Sequence, residues 1–120
     1  MLASRCLQQT TATGDTSPLV IGTTEVPGFQ LISTEVPANV PFQYIISSYD
    51  GTQVEMGAGY LNASGELVRD PAPEFTYTGG TAGHGSRVIL AAGSKYVGIA
   101  PYGRGLRPTL PTIYTSANKR

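Results

Sequence analysis

Away from its two ends, this chain never runs more than ten residues without a glycine or a proline. Gly occupies 15 and Pro nine of the 120 positions. An ordinary α-helix needs about 11–12 uninterrupted residues, and an interior Gly or Pro costs it about 1 or 3 kcal/mol relative to Ala. Strands of about 5–6 residues fit between such interruptions. The spacing therefore predicts an all-β fold, an antiparallel β-sandwich or barrel of about 7–8 short strands. With 40% hydrophobic residues the chain has enough apolar surface for one core, and its length suits one domain. No apolar run approaches the roughly 18–20 residues of a membrane helix, so no membrane partner is expected.

The most legible stretch is 42–70, FQYIISSYDGTQVEMGAGYLNASGELVRD, which reads as three antiparallel strands. Residues 42–49 are rich in aromatic and β-branched types that suit a pleated surface. Asp50-Gly51 reads as a two-residue hairpin turn, since Gly takes the positive φ such a turn demands. In the next run Val54, Met56, Ala58 and Tyr60 share one face, while Glu55, Gly57, Gly59 and Leu61 share the other. That is a mostly apolar face set against one with gaps. Asn62-Ala63-Ser64-Gly65 then turns the chain into Glu66–Arg69, where Leu67 and Val68 point to opposite sides.

Around this meander the signals are weaker. Residues 4–13 read as a short helix or a polar edge strand, and Thr10, Thr11 and Thr13 favour the strand. Residues 18–24 form a short strand in which Leu19 and Ile21 oppose Val20. Thr-Glu-Val-Pro occurs at 24–27 and again at 34–37, and each copy reads as a strand end closed by proline. After the stiff Asp70-Pro71-Ala72-Pro73 break, residues 74–78 form a strand, GGTAGHGS (79–86) a flexible loop, and 87–92 with 95–99 a last hairpin returning Ile89 and Tyr96 to the core. The domain division is a β domain over 1–100 and a Pro-rich basic C-terminal arm over 101–120. In that arm Leu106, Leu110, Ile113 and Tyr114 are too sparse for a core element, so it is expected to order against a partner. With Arg104, Arg107, Lys119 and Arg120 they are the candidate partner-binding residues.

Charge is zero overall but uneven. Residues 1–74 hold all eight acids and two bases, whereas 75–120 hold six bases and no acid. Such asymmetry marks either charges that offset locally on folding or a basic end docking on an acidic neighbouring subunit. Nucleic acid is the weakest reading, because no aromatic-basic interleaving suggests stacking on bases. Catalysis has thin support: His84 is the single histidine, in a Gly-rich loop with no carboxylate nearby in sequence, so a small hydrolase using it is a remote alternative. The same loop lacks the Gly-Lys-Ser/Thr ending of a phosphate cradle. Asp50, Glu55, Glu66 and Asp70 form no Asp-x-Asp-x-Asp calcium loop and read as solvated turn acids. One cysteine, Cys6, reads as a small buried apolar residue, with an intermolecular bridge as the alternative. No cofactor and no metal is expected. The segment MLASRCLQQ has no apolar signal core, and folding in a cytoplasm is expected. Seven tyrosines suit interface anchors and strand filling alike.

Seven elements in order carry a resemblance: Thr10-Thr11-Ala12-Thr13-Gly14, Gly28-Phe29, Tyr44-Ile45-Ile46, Asp50-Gly51-Thr52, Glu55-Met56-Gly57-Ala58-Gly59-Tyr60, Gly65-Glu66-Leu67-Val68-Arg69 and Ala92-Gly93-Ser94-Lys95-Tyr96-Val97. Together they resemble a small β domain that recurs in tailed-bacteriophage virion proteins, both as a free-standing subunit and at the particle-proximal base of fibres and spikes. Val54 stands where that family often has Trp. The resemblance implies a non-enzymatic structural subunit of the virion. Such a subunit is made in the bacterial cytoplasm and docks on head, neck or tail in symmetric copies, as a capsid decoration or connector protein. Its partners would be other virion proteins and itself. The alternative within the resemblance is the base of a tail or head fibre contacting host glycans. It carries over no functional residues, only turns, glycines for close strand approach, and an ion pair between Glu55 and Arg69.

Overall fold

A computed structural model describes residues 6–23 and 26–100. Among these residues seven strands form one antiparallel sheet: β1 (Leu7–Thr10), β2 (Phe42–Ser48), β3 (Gln53–Leu61), β4 (Leu67–Val68), β5 (Phe75–Thr78), β6 (Thr81–Gly83) and β7 (Lys95–Ile99). The order across the sheet is β1-β7-β2-β3-β5-β6, with β4 pairing β3 off this path. The protein is all-β, and among the described residues the single helical element is a 3-10 turn at Ile32–Thr34. The long strand β3 forks the sheet, because its first half pairs β5 and its last two residues pair β4. A bridge between Leu19 and Leu67 then folds residues 14–23 back over the buried face.

The meander stands as read, with one change at its first turn. Four residues rather than two separate β2 from β3. Gly51 takes φ +78°, while the Asp50 carboxylate accepts from the Thr52 amide and from both the Thr52 and Ser48 hydroxyls. These donors hold the Asp50 carboxyl below its ordinary range, the Thr52 amide contributing most. A chain that satisfies an acid with three local donors gains more from the wider turn than from the tight one.

Four other expectations are corrected. Residues 18–23 touch the sheet through the Leu19 bridge and form no strand, although Leu19 and Ile21 are buried and Val20 is 63% exposed as their alternation requires. The second Thr-Glu-Val-Pro copy begins on Thr34, the last residue of the 3-10 turn, and ends no strand; Thr24 and Glu25 of the first lie outside the described residues. The Gly-rich segment read as a loop contains β6, which forms a hairpin with β5 across Gly79-Gly80, both at positive φ. Finally, β7 pairs β1 and β2, not residues 87–92. Those residues run as a covering segment whose buried members are Val88 and Leu90, whereas Ile89 is exposed and Tyr96 half-buried on the outer face.

The core lies between the inner face of the sheet and its cover. Tyr44, Ile46, Leu61, Leu67 and Val97 come from strands, while Leu19, Ile21, Ile32, Val88 and Leu90 come from the segments above them. Cys6 is buried at the core's edge, its thiol donating to the Leu31 carbonyl. Of the two faces of β3, the one with gaps is buried: Gln53, Glu55, Gly57, Gly59 and Leu61 point inward. The physical reason lies in the cover. Irregular segments have no ladder to satisfy their buried N–H and C=O groups, so polar side chains of the sheet do it instead. Gln8 donates to the Gly22 carbonyl and accepts from the Ile32 amide. Gln53 does the same for the Ile89 carbonyl and the Ala91 amide, and the Thr10 hydroxyl takes the Val20 carbonyl.

Candidate functional site

Two features stand out: a buried charged centre and an outer sheet face with two rows of residues that carry no charge. The centre is built by β2, β3 and the end of β4. Glu55 and Arg69 have fully buried side chains and pair at 2.6 Å. Arg69 Nε and Nη2 take the two carboxylate oxygens side by side, at 3.1 and 2.6 Å. The Tyr44 hydroxyl donates to Glu55 Oε2 at 2.6 Å, and the Val88 amide donates to Oε1 at 2.8 Å. The remaining guanidinium donors reach the carbonyls of Gly14, Thr16 and Val88. All five N–H donors of an arginine are thereby used, and each carboxylate oxygen accepts twice. A buried ion pair repays its desolvation only when its remaining donors and acceptors are satisfied, and this one meets that condition. Its atoms are spent on the fold: Arg69 fastens residues 14–17 and Val88, segments far apart in sequence, to β3. Glu55 is thus no solvated turn acid. The ion pair implied by the resemblance is present, whereas the carboxylates of Asp50, Glu66 and Asp70 take other partners: the Thr52 amide, the Asn62 side-chain amide, and the Ala58 and Ala72 amides. Among the described residues no group of three or more His, Cys, Asp or Glu is placed to hold a metal ion.

Glycines make the centre possible. A Cβ on Gly59 would stand 2.4 Å from the Val68 carbonyl oxygen and 3.0 Å from the Tyr44 ring, and one on Gly57 would stand 2.7 Å from Asp70 Cβ. The Tyr44 ring therefore lies flat over two bare backbones, and its hydroxyl also accepts from the Asp70 amide at 3.0 Å. Burial, and after it the hydrogen bond to Glu55, push the Tyr44 hydroxyl's pKa far above its ordinary value of 10.0. A folded-state pKa above the unfolded one contributes stability below the unfolded value that is lost as pH rises past it. Wild-type stability is accordingly expected to fall from about pH 10 upward more steeply than that of Tyr44→Phe. At neutral pH the same substitution is expected to cost about 1–3 kcal/mol. Urea unfolding of both proteins at pH 7 and above pH 10 checks both statements.

The outer face is assembled from rows of residues in register. Leu7, Gly98, Ile45, Met56 and Phe75 stand across from one another on β1, β7, β2, β3 and β5. The next row is Gln9, Tyr96, Ser47, Val54, Tyr77 and Ala82. Neither row contains a charged residue. Ile45, Val54 and Met56 are half-buried by their neighbours alone, Phe75 is 39% exposed, and Tyr49 stacks on Tyr96 with ring centroids 4.3 Å apart. Antiparallel sheets with one solvated face ordinarily alternate apolar-in with polar-out, and β3 reverses that alternation over residues 53–58.

His84 is exposed just after β6. The candidate partner-binding residues Arg104, Leu106, Arg107, Leu110, Ile113, Tyr114, Lys119 and Arg120 lie outside the described residues. Sequence reasoning missed Gln8, Gln53 and the outer-face row through Ile45, Met56 and Phe75. The signal that could have found the row is the absence of any charge on the Val54, Met56, Ala58, Tyr60 side of β3. Among known proteins, no family model, curated sequence or solved structure matches this chain.

Proposed function

We propose that the chain is a non-enzymatic structural subunit of a tailed-bacteriophage particle, docking on head, neck or tail in symmetric copies through residues 101–120. The observation that supports this reading most is the use to which the family-like residues are put. Glu55 and Arg69 are buried against each other with Tyr44 as a further partner, and Gly57 and Gly59 leave room for Tyr44, Asp70 and the Val68 carbonyl. Residues of the resemblance thus serve as fastenings of a scaffold, which leaves contact to the surfaces and to the basic segment. That segment carries four bases and no acid, against eight acids and four bases in residues 1–100, so copies attract one another end to body.

In lysates of bacteria producing the particle, the full chain is expected to sediment with it, and a chain lacking 104–120 is expected to stay folded in the supernatant. A truncated chain that still sediments with particles overturns the role of the segment. A full chain that never does so overturns the function.

A further inference from the structure

We infer that the outer sheet face is the acceptor for residues 101–120 of a second copy of this chain, which lie across the row through Ile45, Met56 and Phe75. The inference rests on the reading of 101–120 as a docking segment and names the surface that receives it.

The first argument is chemical. A sheet face with two uncharged rows, on which Phe75 and Tyr49 keep 39% and 49% of their surface exposed and where the Glu74 carboxylate reaches Gln43 at the edge, is the kind of patch that soluble proteins cover. The segment supplies matching apolar groups at Leu106, Leu110, Ile113 and Tyr114. Its prolines at 108 and 111 favour an extended path that crosses strands without adding to a ladder. Its bases stand before, among and after those groups, so they reach the rim, where the rest of the molecule carries the opposite net charge.

The second argument is where the chain leads. The last described residue, Ala100, donates its amide to the Gln43 carbonyl at 2.8 Å, continuing β7 beside β2 at the margin of the outer face. Twenty further residues follow. Extended, they span about 66 Å, whereas six strands side by side are about 24 Å across and the molecule is 42 Å in its longest dimension. A segment of this length is long enough to leave its own sheet and reach a neighbouring copy. The contact is head-to-tail, so it generates a closed ring, an open filament or, by reciprocal exchange, a pair.

The test uses purified full-length chain without particles, which separates it from the sedimentation experiment. Light scattering or analytical ultracentrifugation is expected to give a mass at least twice the 12.6 kDa of one chain. Met56→Glu, Phe75→Ser and removal of 101–120 are each expected to return it to one chain with an unchanged circular dichroism spectrum. Phe75→Ser, at the more exposed site, guards against a misfolded Met56→Glu. Mixing the truncated chain, which has a face but no segment, with the Phe75→Ser/Met56→Glu chain, which has a segment but a spoiled face, is expected to give a one-to-one complex. A monomeric wild type, in which each segment covers its own face, a truncated chain that still oligomerises, or a mixture that stays monomeric would overturn the inference.

Discussion

Arg69→Met is expected to lose about 3–5 kcal/mol of stability, the cost of stranding a buried charge. The substitution preserves much of the side chain's volume, so what it removes is chiefly polar. Glu55 would keep the Tyr44 hydroxyl and the Val88 amide but lose its counter-charge, and the carbonyls of Gly14, Thr16 and Val88 would lose their donor. A domain of this size holds about 5–15 kcal/mol in total, and each kcal/mol shifts its melting point by about 4–8 °C. A fall on the order of 15–30 °C follows, measured by thermal or urea unfolding. The double variant Glu55→Gln/Arg69→Met should lose less than the two single variants added together, because removing both charges spares the desolvated carboxylate. Additive losses would show that the pair does not act as one unit.

Gly59→Ala is expected to be nearly as damaging, for a steric reason. In a strand interior the change from Gly to Ala ordinarily gains about 0.5–1 kcal/mol from backbone entropy. At residue 59 the added methyl meets the Val68 carbonyl oxygen at 2.4 Å and two Tyr44 ring atoms at 3.0 and 3.1 Å. The carbonyl belongs to β4, which is itself held through Leu67 to Leu19, so neither neighbour can move without opening the core. A net loss of about 3 kcal/mol or more follows, at the upper end of overpacking costs. Gly83→Ala is the matched control. It also lies in a strand, and its methyl would meet only the Thr76 hydroxyl, at 3.2 Å, a side chain with room to rotate. Denaturation midpoints should therefore shift strongly downward for residue 59 and little for residue 83. Equal shifts would show that the close approach of β3 to β4 carries no special weight.

These two sites show what a reader of the sequence can and cannot see. The spacing of Gly and Pro makes the all-β class legible, and the alternation along 53–61 makes β3 legible residue by residue. Which side of β3 is buried is not legible. Hydrophobicity would turn Val54, Met56 and Ala58 inward, yet Gln53, Glu55 and two glycines are there instead. The deciding partners are remote: Arg69 reaches back 55 residues to Gly14, and Gln53 reaches forward 38 to Ala91. A polar side chain whose partner is backbone leaves no trace in the partner's identity, so no pairwise pattern marks it. The same holds for β7, whose neighbours β1 and β2 lie far up the chain, while the adjacent residues 87–92 looked like its natural hairpin mate. At Ile89 the consequence is a reversal of sidedness by one position, since Val88 and Leu90 are held inward by Glu55 and the Gly14 bridge.

Because the sheet grips its cover by main-chain atoms, the outward side chains of the cover are largely interchangeable. Gln8, Gln53 and Arg69 hold the carbonyls or amides of residues 14, 16, 22, 32, 88, 89 and 91, and every residue type offers a carbonyl while only proline lacks the amide. Substitutions can accumulate at the outward positions among these, such as Thr16, Ile89 and Ala91, while the three gripping side chains stay fixed. One frame can in this way wear many coats, altering what it shows to the outside without renegotiating how it folds.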